Sequence, residues 1–155
     1  KCICFHESNL PKFRGGSPLQ NQIIRGITKT KTTAFLMSDG IDEGDIILQQ
    51  SLSLNGKIDE IFSRMIKNDF KMIEKIISKN YKLTKQKGKP SIFKRRKPED
   101  SELNFSSHSL EYFYNFIRML DDPYPNAFIR LGNKKLILKN PQFKKGKLTF
   151  NGEIL

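Results

Sequence analysis

Two short segments carry the residue types that acid–base chemistry uses. His6 follows an apolar run at residues 2–5, and the loop 39–45 holds three aspartates between and beside two glycines. A continuous apolar run favours a buried parallel strand, and α/β sheets place ligands at the carboxyl ends of such strands. If the two segments lie on neighbouring strands, an aspartate of the loop faces His6. An aspartate beside an imidazole fixes its tautomer, which suits general acid–base catalysis or stabilisation of an oxyanion.

Other interpretations of the same residues stay open. A histidine after a strand is more often packed or solvated than catalytic, and an acidic glycine-rich loop is more often a turn. The loop lacks the spacing of a calcium loop, and two thiols, Cys2 and Cys4, make only a weak metal site without further cysteines. Cys4 is also a conceivable nucleophile, because residues 4 and 6 share one face of a strand.

Composition indicates one basic, folded chain. Its 155 residues are 37% hydrophobic and 10% aromatic, which is too apolar for a disordered tail. The net charge of +12 favours an anionic partner, although a lysine-rich solvated surface explains it equally well. No signature of a nucleic-acid-binding motif is visible. The chain opens with Lys1 inside an apolar run, and we expect it to be a fragment of a longer protein.

Membrane and secretory locations are not expected. No run approaches 18 apolar residues, and the first residues lack the apolar core of a signal peptide. Two cysteines at i and i+2 rarely form a disulfide, so we expect a reducing, cytoplasmic location.

Periodicity and turn residues predict the elements that position these segments. Apolar residues at three- and four-residue spacing predict a helix over 57–79, and Gly132-Asn133 predicts a hairpin turn. The other predicted elements are a helix from Pro18 to Arg25, strands at 32–37, 46–53 and 147–150, and a helix from Leu110 to Leu120 with Ser107 as its possible N-cap. We divide the chain into residues 1–81, a Lys-rich linker at 82–104, and a small unit at 105–155.

Four segments in order resemble one family. They are His6-Glu-Ser-Asn-Leu-Pro-Lys-Phe-Arg-Gly-Gly-Ser-Pro18, Gly40-Ile-Asp-Glu-Gly-Asp45, Arg95-Arg-Lys-Pro-Glu-Asp-Ser101 and Ile117-Arg-Met-Leu-Asp-Asp-Pro-Tyr-Pro-Asn-Ala-Phe128. Together they resemble the folate-dependent formyltransferases, which include methionyl-tRNA formyltransferase and the sugar-nucleotide N-formyltransferases. The resemblance implies an α/β fold: a partial Rossmann-like formyltransferase domain followed by a small helix plus β-hairpin unit. It also suggests a homodimer.

The resemblance also implies a reaction and its residues. The family transfers a formyl group from 10-formyltetrahydrofolate to a primary amine, without a metal. By resemblance, His6 and Asp42 are catalytic, and Cys4 stands where the family has asparagine. A thiol is a weak hydrogen-bond donor, and loss of one oxyanion donor costs about 10²–10³ in rate. The implied donor-binding residues are Met37, Ser38, Asp39, Gly40 and Ile41.

The acceptor amine is the least determined part. We expect a nucleotide-linked amino sugar, because only a short unit follows the linker and because arginines pair well with pyrophosphate. The expected acceptor-binding residues are Arg14, Ser17, Arg95 and Arg96. The alternatives are tRNA, which the positive charge favours, and a non-catalytic relative. The resemblance places a strand–helix half before residue 1, so we expect the 155 residues to bind folate poorly and to be inactive by themselves.

Overall fold

The computed structural model describes residues 2–79, 81–105 and 108–155, and confirms a mixed α/β chain. The elements are β1 (Ile3–His6), β2 (Arg14–Gly15), α1 (Pro18–Ile23), β3 (Lys29–Leu36), β4 (Ile46–Ser53), α2 (Ile58–Ile77), β5 (Ile92–Phe93), α3 (Leu110–Arg118), β6 (Ala127–Leu131), β7 (Lys134–Lys144) and β8 (Lys147–Ile154). A 3₁₀ turn spans Pro98–Ser101. No helix in the described ranges is long and apolar enough to cross a membrane.

The first sheet holds both chemistry-bearing segments at one end. Its strand order is β1-β3-β4, and both pairings are antiparallel. The prediction of a buried parallel strand at 2–5 is therefore wrong within this sheet. β1 lies at the sheet edge and Ile3 is 38% exposed. An apolar run signals a preference for burial, but it encodes neither strand direction nor the number of neighbours.

Helix α2 covers one face of this sheet. Its observed range agrees with the predicted 57–79, and its first turn is capped because the Glu60 carboxylate accepts a hydrogen bond from the Lys57 backbone N–H at 3.0 Å. Ile58, Ile61 and Met72 are buried. The apolar arc is wider than the sheet contact, and a second stripe stays exposed at Ile66, Phe70, Ile73 and Ile77.

The second unit is α3 packed on the sheet β6-β7-β8. The predicted hairpin around Gly132-Asn133 is confirmed, and the last strand is longer than expected. Ser107, the predicted N-cap, lies outside the described residues. The observed N-cap is Ser109, whose hydroxyl accepts a hydrogen bond from the Tyr112 backbone N–H.

The two units share one apolar core. Ile23, Leu54 and Ile61 from the first unit pack in the same cluster as Phe116 and Ile117 from α3. The 82–104 boundary remains a prediction. Arg118 joins the units, because its Nη1 donates to the carbonyl oxygens of Leu54 and Gly56 at 2.8 and 2.9 Å.

Replacing Arg118 by methionine is expected to lower the free energy of unfolding by about 2–4 kcal/mol, since two backbone carbonyls and the Asn115 side chain lose a charged donor. Urea unfolding followed by circular dichroism measures the change. The matched control is Arg130→Met, which removes an exposed ion pair with Glu102 and costs less than about 1 kcal/mol. Equal losses in the two variants would contradict this role for Arg118.

Candidate active site

His6 is held by a backbone carbonyl. Its side chain is buried at the end of β1, and its Nε2 lies 2.7 Å from the Phe13 carbonyl oxygen. A carbonyl oxygen only accepts hydrogen bonds, so Nε2 carries a proton. Phe13 has a φ of 58°, a left-handed conformation that turns this carbonyl toward the imidazole. The ring is therefore fixed with Nδ1 on the side away from the Phe13 carbonyl.

The Asp42 carboxylate faces the Nδ1 side of the His6 ring. Its Oδ2 lies 3.6 Å from His6 Nδ1 and accepts a hydrogen bond from the Gly15 backbone N–H at 2.7 Å. A separation of 3.6 Å is longer than a direct hydrogen bond, so both groups remain available to a third atom between or beside them. The sequence predicted that an aspartate orients the imidazole. In the structure the Phe13 carbonyl does so, and Asp42 is itself oriented by Gly15.

Two glycines, Gly15 and Gly16, let the linker approach the segment that follows β1. β2 and β5 form a parallel pair in which Arg14 aligns with Ile92 and Gly15 with Phe93. A Cβ at Gly15 would collide with the Phe93 carbonyl oxygen, and a Cβ at Gly16 would collide with the Arg95 backbone. Gly15 also has a φ of 86°, which other residues rarely adopt. Sequence periodicity did not reveal this pair, because two-residue strands carry no period.

Cys4 and the predicted donor-binding residues surround one cavity of about 210 Å³. Met37, Ser38, Asp39, Gly40 and Ile41 all line it, together with Phe35 and Asp42. Burial raises the pKa of the Cys4 thiol, and the Asp42 and Glu7 carboxylates raise it further. The thiol therefore stays protonated near neutral pH, which disfavours Cys4 as a nucleophile.

This cavity has a partly apolar rim. Met37 and Ile41 are 62% and 61% exposed, and they place apolar side chains at its rim, next to Asp42. Ligand pockets usually enclose about 300–1,000 Å³. At about 210 Å³ this cavity is smaller than that range.

The predicted acceptor-binding residues separate into two places. Arg14 is buried, and its guanidinium donates to Glu43 Oε1 at 2.8 Å and to the Gln86 side chain. It therefore holds the loop 39–45 against the linker. Ser17, Arg95 and Arg96 line a different cavity of about 530 Å³ with Gln20 and Tyr124. The Ser17 hydroxyl accepts a hydrogen bond from the Arg96 backbone N–H at 3.1 Å, which ties the first loop to the linker.

This second cavity has unused donors. Burial lowers the pKa of the Arg96 guanidinium, which the nearby Asp100 partly offsets. Among the described residues, neither Arg96 Nε nor the Nε2 of buried Gln20 has a hydrogen-bond partner. Unpaired buried donors next to cations are suited to an anionic group.

Comparison with known proteins places this geometry in a family. The formyl transferase model matches residues 1–75, and the model of the methionyl-tRNA formyltransferase C-terminal domain matches residues 98–154. The solved structure of methionyl-tRNA formyltransferase from Clostridium thermocellum is 45% identical, with a TM-score of 0.93, over 99% of this chain and 68% of that one. The chain belongs to the formyltransferase family.

Two further formyltransferases show how far the likeness extends. Methionyl-tRNA formyltransferase of Mycoplasma mycoides subsp. mycoides is 32% identical over 89% of this chain, which spans only 45% of that relative's length. An N-formyltransferase from Helicobacter canadensis, solved with folinic acid and dTDP-3-aminofucose, is 22% identical with a TM-score of 0.68, over 98% of this chain and 62% of that one. The latter likeness supports the fold. The comparisons therefore favour the tRNA alternative over the expected sugar acceptor.

Proposed function

We propose that this formyltransferase transfers the formyl group of 10-formyltetrahydrofolate to the α-amine of methionyl-tRNA. The observation that carries the acceptor is the 45% identity, over nearly the whole chain, to a methionyl-tRNA formyltransferase. The observation that supports the chemistry is the pair formed by His6 Nδ1 and Asp42 Oδ2. This pair lies beside the cavity of about 210 Å³ that Cys4 and Met37 line, which we call the donor-side cavity.

The two side chains divide the proton movements of the transfer. The amine nitrogen bonds to the formyl carbon, and negative charge grows on the formyl oxygen. His6 Nδ1, once protonated, donates to that oxygen, while the Nε2–H contact to Phe13 keeps the ring in place. Asp42 accepts the proton that the amine loses. The bond from the formyl carbon to folate N10 then breaks, and N10 takes up the proton that Asp42 accepted from the amine, which restores the carboxylate.

The cavity of Ser17, Gln20, Arg95 and Arg96 supports a phosphate-bearing acceptor. Arginine pairs with phosphate by charged hydrogen bonds worth about 1.5–3 kcal/mol each. Both candidate acceptors carry phosphates, so this cavity also supports the second candidate, a nucleotide-linked amino sugar. Its volume of about 530 Å³ lies in the range of small-ligand sites.

Replacing the exposed Arg95 by alanine is expected to raise the acceptor KM about tenfold and to leave kcat nearly unchanged, because Arg95 lines the acceptor cavity and not the His6–Asp42 pair. Steady-state kinetics with varied acceptor measures the split. Lys134→Ala, in the distant hairpin, is the control. A loss confined to kcat would contradict an acceptor-binding role.

The proposed function is tested with the full-length gene product. It is incubated with 10-formyltetrahydrofolate and either methionyl-tRNA or a panel of nucleotide-linked amino sugars, and products are read by mass as the gain of one formyl group. Formylation of methionyl-tRNA that weakens steeply with salt supports the proposal, since tRNA contacts release counterions. Formylation of a sugar alone would assign the second candidate. Silence on both would point to a non-catalytic relative.

A further inference from the structure

The side chain of Gln86 connects the linker to the loop 39–45 and to strand β2, next to the candidate active site. Its Nε2 donates to the carbonyl oxygens of Asp42 and Gly44 at 2.7 and 2.9 Å. Its Oε1 accepts from Arg14 Nη2 and Nε at 2.8 and 3.2 Å. Carbonyls only accept and guanidinium nitrogens only donate, so this orientation of the carboxamide is the one that its neighbours permit.

The contacts use the full hydrogen-bonding capacity of one carboxamide. Two N–H donors meet two carbonyls, and two acceptor positions meet two guanidinium N–H groups. Gln86 itself comes from the linker, whose neighbouring residues are mostly exposed and lysine-rich. A single glutamine in such a segment has no signal in the sequence, and its role is visible only in the fold.

The backbone of Asp42 has a conformation that such a contact can hold in place. Its φ of 51° is a left-handed conformation, which persists in a non-glycine residue only where surrounding contacts hold it. Two contacts do so: the Gly15 N–H holds the carboxylate, and Gln86 holds the backbone carbonyl. Arg14 completes the frame, because it bonds to Gln86 and pairs with Glu43, the residue after Asp42.

We propose that Gln86 is a positioning residue for Asp42: its carboxamide N–H groups fix the acidic loop so that the carboxylate stays opposite His6 Nδ1. The catalytic consequence rests on the proposed function, whereas the structural consequence does not. Gln86 does not itself line the donor-side cavity, and its side chain bonds to Asp42 and not to His6, so it acts through Asp42.

Two substitutions distinguish the effect of the carboxamide's N–H donors from that of its acceptor oxygen. Gln86→Glu keeps an acceptor for Arg14 but replaces both donors by an oxygen that repels the Asp42 and Gly44 carbonyls. Gln86→Ala removes both sides. The control is Gln49→Ala, because Gln49 is another bridging glutamine, which bonds to Asn9 and Thr33 on the β4 side of the sheet. Residue 86 lies in the linker, outside both apolar clusters, so the variants are expected to fold.

The first readout needs no activity. The Gly15 amide donates to the Asp42 carboxylate, so its resonance and its hydrogen-exchange protection report on that carboxylate. We expect both to change in Gln86→Ala and in Gln86→Glu, and to stay as in wild type in Gln49→Ala. The Thr84 amide, which donates to the Ile46 carbonyl, reports on linker docking and is expected to stay unchanged. A wild-type Gly15 amide in Gln86→Glu would overturn the proposal.

The second readout is a double-mutant cycle on formyl transfer by the full-length gene product. Gln86→Ala is expected to lower kcat about 10- to 100-fold with little change in KM, since small displacements of a catalytic group cost that much. In an Asp42→Asn background the same change is expected to cost nothing further. Additive losses would overturn positioning through Asp42. If the wild type transfers no formyl group, the proposed function fails, and the Gly15 readout still decides the proposal.

Discussion

Replacing His6 by alanine is expected to lower kcat for formyl transfer by about 10²–10⁴-fold, with the KM of both substrates nearly unchanged. The variant loses the ring nitrogen that faces Asp42 and that donates to the formyl oxygen in the proposed mechanism. Quantifying the formylated acceptor by mass spectrometry over time measures the loss. His108→Ala is the matched control, because His108 is exposed and stacks on Tyr112 in the second unit. It is expected to retain the wild-type rate.

Two further variants at the same position identify the nitrogen that acts. A glutamine amide reaches the place of Nε2 and can keep the contact to the Phe13 carbonyl, whereas an asparagine amide reaches the place of Nδ1. If Nδ1 is the working nitrogen, His6→Asn retains more activity than His6→Gln. The opposite order, or a His6→Ala rate within tenfold of wild type, would contradict the arrangement read from the structure.

The predictable parts of the fold are those with a period or a turn signal. Strand β4 matches its predicted range, 46–53, and the Gly132-Asn133 turn and helix α2 agree closely with their patterns. Strand direction was not predictable at β1, since an apolar run is the same in either direction. The exposed stripe of α2 was not predictable either, because a periodic pattern shows that a face is apolar, not that it is covered.

The candidate site likewise contains residues that the sequence marks and groups that it does not mark. Residue types and the family resemblance pointed to His6 and Asp42, and the structure brings them within 3.6 Å. The groups that hold them were missed: the Phe13 carbonyl, the Gly15 amide and the Gln86 side chain. Two of the three are backbone groups, which every residue possesses, so no residue type marks them. Their positions follow from left-handed loops and a two-residue strand pair, which only the fold reveals.

The acceptor was the hardest inference, for a chemical reason. Arg95 and Arg96 suggested a pyrophosphate partner, yet a cation pair recognises phosphate in RNA and in a sugar nucleotide alike. Three of the four expected acceptor residues do line one cavity. The fourth, Arg14, is committed to Glu43 and Gln86. Distinguishing the acceptors therefore depends on the salt dependence and product mass, and not on the presence of arginines.

Asp42→Asn tests the carboxylate without disturbing its setting, and is expected to lower kcat by about 10²–10⁴-fold. Asparagine has nearly the same shape and tolerates the left-handed φ of 51°, and its amide oxygen can still accept from the Gly15 N–H. What it lacks is the ability to take the amine's proton. Rates are compared at saturating donor and acceptor, and circular dichroism confirms an unchanged fold.

The control for Asp42 lies in the same loop. Asp45 pairs at 2.9 Å with Lys85, which is largely exposed, and such surface pairs contribute little. Asp45→Asn removes the same charge a few residues away, and is expected to keep the rate within about twofold of wild type. If both variants lose activity equally, the requirement is for negative charge in the loop, and not for a proton acceptor at Asp42. If Asp42→Asn alone fails while its circular dichroism matches that of wild type, the carboxylate itself carries the proton transfer.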